Sequence, residues 1–321
     1  ELARARLLAY DLWNAGADAL IIQDMSLVEA DMPPVPLFAS TQMHNDTPEK
    51  VRFLHETGFS RAILARELSI EQIAAIHAAS PIELESFIHG ALCVSYSGQC
   101  YMSYHVGGRS GNRGECAQPC RKRYDLLDAE GSPLVSGKHL LSLRDLNLTG
   151  RIREMIDAGN GSFKIEGRLK DISYVRNVTA HYRAAIDAVL GADEKKSSSG
   201  IPVISFTPDP AKSFNRGFTE YFIRGRTEVV SSIDTPKPAG EKIGTVESSS
   251  GNKIVVSAKA KIVPGDGLCF FDSKGELAGG NVNAVDGISV TLNEAVDAAK
   301  GSVLFRNHDH HFERALSKAA Q

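Results

Sequence analysis

No run of apolar residues in this 321-residue chain approaches the roughly 18 that a membrane-crossing helix needs, so no bilayer span is expected. An excess of positive charge is also lacking. Lys and Arg number 36 against 39 Asp and Glu, a net charge of −3. That balance argues against a surface wholly devoted to nucleic acid, while leaving room for a local basic patch. The hydrolase signatures HExxH, GxSxG and HxxEH are absent, and HETGF (55–59) carries only the first two letters of one of them. The opening ELARARLLAYDLWNAG has neither the apolar core nor the small-residue cleavage site of a signal peptide, and it reads as a helix. A cytoplasmic chain is therefore expected, where thiols stay reduced. Five cysteines, an odd number with Cys269 standing apart, also weigh against a disulfide framework.

What is present is ordinary globular composition, 42% hydrophobic and 23% charged, arranged with a clear change of rhythm. In the first half, apolar strands alternate with amphipathic helices. Strands are expected at 17–24, 36–42, 61–67, 82–90 and 161–167. Helices fit at TPEKVRFLHETG, SIEQIAAIHAA, RDLNLTGRIREMIDAG and DISYVRNVTAHYRAAIDAVLG. Asp46 or Thr47 caps the first of these ahead of Pro48, and Gly58 stops it. Repeated βα units predict a parallel sheet, either open or closed into a (β/α)8 barrel. Five strands are too few for a closed barrel, so the first βα units are expected to lie outside this chain.

The expected organisation is an α/β domain over 1–195 with a cysteine-rich loop at 91–124, a linker and arm at 196–238, and a second domain at 239–310. GADEKKSSSG (191–200) reads as a polar linker. From about 239, short strands separated by Gly, Asp and Asn turns predict a small antiparallel β-barrel. HDHHF, with His308, His310 and His311, is expected to be a solvated terminus rather than a metal site.

Four of the five cysteines crowd into one Gly- and Arg-rich stretch: Cys93, Cys100, Cys116 and Cys120, spaced C-x6-C, then x15, then C-x3-C. Thiolates must converge to about 2.3 Å from one metal, and tight turns bring them there. Four thiolates suit either structural zinc or an iron–sulfur cluster, and this spacing matches neither the C-x2-C of zinc ribbons nor the ferredoxin run.

The stretch ESFIHGALCVSYSGQCYMS (85–103) resembles the signature of the peptidase U32 family, also called collagenase-like proteases. The resemblance continues through GGRSGNRGECAQPCRKRY, LARELS, ASTQM, SFKIEGRLK and FNRGFTEYF, covering roughly residues 15–225. It implies a TIM-type barrel lacking its first βα units here, followed by a barrel like the second domain of elongation factors. Some members of the family are named as proteases. Others hydroxylate a transfer-RNA uridine or a ribosomal-RNA cytidine with prephenate as hydroxyl donor, and related members hold a 4Fe–4S cluster on four cysteines. The resemblance thus implies an iron–sulfur-dependent RNA hydroxylase with Cys93, Cys100, Cys116 and Cys120 as cluster ligands, structural zinc being the alternative. A peptidase is the second reading and a non-catalytic RNA-binding module the third.

Polar residues at strand ends mark the expected site. His89, Glu166, Arg168, Glu67 and Gln42 are the candidates for the chemistry. Alternation along SFKIEGR puts Lys164, Glu166 and Arg168 on one face, and adjacency allows only one of Arg66 and Glu67 to face the centre, with Glu67 favoured. For an RNA substrate and a small anionic donor such as prephenate, the cationic and stacking candidates are Arg109, Arg113, Arg121, Arg123, Tyr124 and Lys164. Cys93 with His89 would make a protease pair, but leaves three thiols unexplained.

Overall fold

Local capping sets the first elements. The Thr47 hydroxyl accepts the Lys50 N–H where Pro48 opens α2 (Pro48–Glu56), after α1 (Leu2–Asn14). Ser69 and Gln72 form a reciprocal capping box at the start of α3 (Ile70–Ala79). Between and after these helices run β1 (Leu20–Ile22), β2 (Leu37–Ala39), β3 (Arg61–Ile63) and β4 (Glu83–Ala91). Then come α4 (Met102–Gly107), the hairpin strands β5 (Tyr124–Leu127) and β6 (Pro133–Lys138), β7 (Asp145–Asn147), α5 (Ile152–Asp157), β8 (Asn160–Ile165) and α6 (Ile172–Leu190). The short β9 (Phe218–Thr219) precedes β10 (Glu241–Ser250), β11 (Lys253–Ala258), β12 (Gly267–Phe271), β13 (Leu277–Asp286), β14 (Ser289–Leu292), β15 (Val303–His308) and α7 (His310–Lys318). The structure, a computed structural model, describes residues 1–191, 202–226 and 229–318, so most of the expected linker at 191–200 lies outside the described residues. Among the described residues no helix is long and apolar enough to cross a membrane.

The chain forms two compact units that interleave in sequence. One comprises Glu1–Pro119, Leu146–Glu166 and Glu220–Val229; the other comprises Cys120–Asp145, Gly167–Thr219 and Val230–Gln321. The expected boundaries at 195 and 238 run along the chain, whereas these units cross it several times.

In the first unit β1, β2, β3 and β4 pair in parallel in that order, and β8 also pairs with β4 in parallel. Every residue of β4 from 84 to 90 is buried, as expected for a parallel strand covered on both faces. Helices α2 and α3 bury Val51, Leu54, Ile73 and Ile76 to 3% exposure or less. Each such side chain contributes about 1.5–3 kcal/mol by leaving water. The helix expected over RDLNLTGRIREMIDAG does not form as one piece. Asn147 Oδ1 accepts both the N–H and the hydroxyl of Thr149, at 3.0 and 2.6 Å, and this local turn breaks the pattern, so that α5 starts only at Ile152.

In the second unit six antiparallel strands close in the order β10-β11-β14-β13-β12-β15. Val246, Ile254, Phe270, Leu292 and Leu304 fill the interior at 0% exposure. Register shifts at Val246/Ser248, Lys242/Gly244 and Val282/Ala284 supply the bends that closure needs. The fold is thus mixed α/β with a predominantly parallel sheet, plus a closed antiparallel β-barrel. The HDHHF segment is not a loose terminus. His308 ends β15, and His310 and His311 open α7, whose entry is fixed by Asp309 accepting the Phe312 N–H at 3.0 Å.

Candidate functional site

Strand β4 carries three polar residues where both faces are dry: Glu85, Ser86 and His89, at 7%, 6% and 1% exposure. A buried carboxylate needs compensation. Glu85 receives it from three neighbours, with Ser162 Oγ at 2.8 Å, Lys164 Nζ at 3.0 Å and Arg61 Nη1 at 3.0 Å. Burial is the largest single influence on the Glu85 carboxyl and pushes its pKa up. Lys164, Ser162 and Arg61 together outweigh it and hold the group below the usual carboxylate range. This is a closed network, and Lys164 is committed to it.

Further along the same strands the matching is looser. The Glu166 N–H donates to the His89 carbonyl, and Arg66 Nη2 is 3.5 Å from Glu166 Oε2. Arg66 Cζ stands 3.8 Å from the centre of the Phe87 ring, and its buried Nε has no hydrogen-bond partner among the described residues. Glu67 accepts the N–H and hydroxyl of Ser97, both at 2.9 Å, and lies 3.6 Å from His44 Nδ1. That separation is too long for a hydrogen bond, and His44 Nδ1 is a second buried nitrogen without a partner among the described residues. Tyr221 completes the group. Burial, with Glu67 and Cys93 nearby, pushes its hydroxyl up to about 12, so it stays protonated. At the rim, Arg226 stands 4.7 Å from the Phe222 ring centre and 5.9 Å from that of Tyr96, and it donates to the Tyr96 hydroxyl at 3.4 Å.

Backbone geometry holds this arrangement under strain. The three non-glycine residues with positive φ among those described are His44, Gln118 and Tyr221, at 56°, 55° and 56°, and all belong to this unit. Such conformations cost of order 1–3 kcal/mol each and concentrate at functional sites. Two glycines permit contacts that a side chain would block. A Cβ on Gly98 would lie 2.0 Å from the Gln42 carbonyl oxygen, and one on Gly90 would lie 2.3 Å from that of Glu166. The cysteine loop is thereby pressed onto the end of β2, and β4 onto the end of β8.

The loop itself carries Cys93, Cys100 and Cys116, and Cys120 is assigned to the second unit; none of the four is in a disulfide. Burial pushes the Cys93 thiol above its ordinary value. The Ser95 N–H and the Arg66 guanidinium oppose that push, while Cys100 and Cys116 add to it. A raised thiol is a poor nucleophile, which counts against a Cys93–His89 protease pair. The Gln118 N–H donates to Cys116 Sγ at 3.3 Å, as the Ser95 N–H does toward Cys93. Amide donors two residues past a cysteine are what a bound thiolate requires. Among the described residues no group of three or more His, Cys, Asp and Glu side chains is gathered to hold a metal ion. Four cysteines outside any disulfide are nonetheless the donor chemistry that a cluster or zinc takes.

The candidates read from the sequence separate between the units. Gln42, Glu67, His89, Lys164 and Glu166 come together around β2, β3, β4 and β8, whereas Arg168 is exposed and falls in the second unit. The choice between Arg66 and Glu67 was unnecessary. β3 ends at Ile63, so strand alternation has lapsed by residue 66 and both side chains take part. Arg109 is turned inward on its own loop, with Nε on the Glu115 carbonyl at 2.8 Å, and Arg113 meets Glu1 at 3.2 Å. In the second unit Arg121 holds Ser142 and the Leu143 carbonyl, both at 2.8 Å, Arg123 pairs with Glu276, and Tyr124 begins β5. The sequence reading sets Arg66 behind Glu67 and passes over His44, Ser97, Tyr96, Tyr221 and Arg226. YF in FNRGFTEYF and H in ASTQMHN lay within or beside recognised motifs, and this was their only signal.

A dry parallel strand carrying polar groups, with strained turns and a cysteine loop beside it, makes up the candidate site. The Peptidase family U32 model matches residues 1–232, and the chain belongs to that family. It is 44% identical over 331 aligned residues to the 23S rRNA 5-hydroxycytidine C2501 synthase of Escherichia coli strain K12, covering 100% of this chain and 50% of that protein. To tRNA hydroxylation protein P1 of Bacillus subtilis strain 168 it is 42% identical, over 57% of this chain and 46% of the relative. To a collagenase of Porphyromonas gingivalis strain W83 it is 31% identical, over 87% and 66%. The chain spans about half the length of the two hydroxylation relatives.

Proposed function

We propose that the chain is part of an RNA hydroxylase that acts on a pyrimidine of ribosomal RNA, with transfer RNA as the second candidate substrate. The observation carrying this reading is the 44% identity to the ribosomal-RNA hydroxycytidine synthase, which runs through the whole chain, β-barrel included. The parallel strands fit as one part of a TIM-type barrel, and the site then occupies the carboxyl ends of the strands, where such barrels work. A cytoplasmic location accords with that substrate.

On this reading Cys93, Cys100, Cys116 and Cys120 hold a 4Fe–4S cluster, with structural zinc as the alternative, and the cluster supplies one-electron chemistry when bound. The residues of this chain bind and orient. Glu67 ties the cysteine loop to the end of β3 through Ser97. His89, Gln42 and Glu166 line the strand ends, and Tyr221 offers a protonated hydroxyl. A small anionic donor such as prephenate delivers the oxygen. Arg109, Arg113, Arg121, Arg123, Tyr124 and Arg168, which lie on exposed or half-exposed ground, are the residues offered to RNA. The Tyr96–Arg226–Phe222 group adds a stacking surface for a base.

Mass spectrometry of total RNA from a strain lacking the gene tests the reading. Loss of a 16 Da increment from one pyrimidine is the expected result. Fully retained RNA modification, together with casein or gelatin cleavage that survives repurification and disappears in Cys93→Ala, would replace hydroxylase by peptidase.

A further inference from the structure

Arginines that leave water are gripped by acceptors elsewhere in this protein. Arg61 gives Nε to Glu83 at 2.8 Å and Nη1 to Glu85 at 3.0 Å. Arg151 holds Glu220 and Glu154, both at 2.9 Å. Arg216, whose side chain is 10% exposed, has Asp145 at 3.0 Å and the Pro236 carbonyl at 2.8 Å. Arg306, 8% exposed, has Glu241 at 2.8 Å and Asp309 at 3.0 Å. Arg66 departs from the pattern. Its side chain is 16% exposed and its ion pair with Glu166 is 3.5 Å long, with a face of Phe87 covering the guanidinium at 3.8 Å. A buried Nε without a partner among the described residues is shared with Arg183 and Arg306, but those two hold carboxylates closely through their terminal nitrogens, and Arg66 does not.

A guanidinium in that position is costly unless an anion completes it. Desolvation lowers the Arg66 pKa, against the pull of Glu166, Cys93, Glu67 and Tyr221. The planar fork of Arg matches a carboxylate with two parallel bonds, and stacking on Phe87 limits how it can turn. Depth selects for a small ligand. A phosphate of a polynucleotide is tethered to its chain and is best met by exposed charge, whereas a small carboxylate can descend to a side chain that is mostly covered.

We propose that Arg66 is the carboxylate anchor of this site and binds a small organic acid through its uncommitted N–H groups. Tyr221 is within electrostatic reach of Arg66, and His44 stands across Glu67; these are the neighbours able to donate to the same ligand. The identity of that acid as the oxygen donor rests on the hydroxylase reading; the anchor itself does not.

Isothermal titration with prephenate, and with inorganic phosphate for comparison, tests the anchor in the absence of RNA. Wild type and R4A, a change at an exposed position of α1, are expected to bind prephenate alike, and R66Q to bind it at least tenfold more weakly, with phosphate ignored by all three. R66K keeps the charge and loses the fork. It carries the test should R66Q fail to fold, with at least a threefold weakening expected. Affinity unchanged in R66Q, or in R66K where it stands in, would overturn the proposal. So would wild type that binds no prephenate, or Arg66-dependent binding of phosphate alone. Arg66-dependent binding in a protein that leaves RNA unmodified would retire the hydroxylase and keep the anchor. Intact RNA modification with unchanged R66Q binding would do the reverse.

Discussion

The two ends of the β4–β8 pair solve the same problem differently. Near its start, Glu85 is buried between Arg61, Lys164 and Ser162, with contacts of 2.8–3.0 Å. Near its end, Arg66 faces Glu166 at 3.5 Å and leaves Nε unmatched, and His44 leaves Nδ1 unmatched. The first network is finished by the protein alone and serves the fold. The second is unfinished, strained at His44 and Tyr221, and sits beside the cysteine loop. A long ion pair beside a buried nitrogen left unmatched is what the proposed anchor looks like without its ligand.

Replacing Glu85 should do the most damage, because Glu85→Gln strands two cations in a dry strand pair. A loss of about 3 kcal/mol is expected from urea unfolding, toward the low end for buried pairs because Lys164 and Arg61 are 30% and 23% exposed. The pH dependence has a definite sign. The folded pKa of Glu85 is depressed below the usual glutamate range, so the stabilisation is complete above that range and lost as pH falls through the folded value. The gap between wild type and Glu85→Gln should therefore be constant near neutrality and close in acid. A gap that widens in acid would contradict the network.

Gly98→Ala comes next. It forces a Cβ to 2.0 Å from the Gln42 carbonyl at a φ of +75°, which is expected to cost about 2 kcal/mol or more of unfolding free energy in urea titration and to lift the cysteine loop. His44→Gly should act in the opposite direction. Releasing a left-handed residue at φ 56° is expected to raise stability by up to about 1 kcal/mol while lowering activity, a combination read by pairing urea unfolding with RNA modification.

Much of this was legible in the sequence, because it is local. Thr47, Ser69 with Gln72, and the apolar runs of β1 to β4 announce their elements through chemistry within a few residues. The six barrel strands announce themselves through alternation and turn residues. What escaped was decided by geometry at a distance. Asn147 broke a helix by capturing Thr149, and the early end of β3 released Arg66 and Glu67 from strand alternation. The left-handed turns at His44 and Tyr221 leave no compositional trace. The arginines of the cysteine loop look like ligand groups by charge, and the structure shows Arg109 also giving its Nε to a carbonyl of its own loop.

Arg66→Met offers the most direct test, since Met keeps apolar packing on Phe87 and removes the charge. If the charge at this end serves a ligand and not the fold, the urea midpoint of Arg66→Met should equal or exceed that of wild type while prephenate binding is lost. A fall of about 3 kcal/mol, matching that expected for Glu85→Gln, would show that both ends are structural and contradict the account.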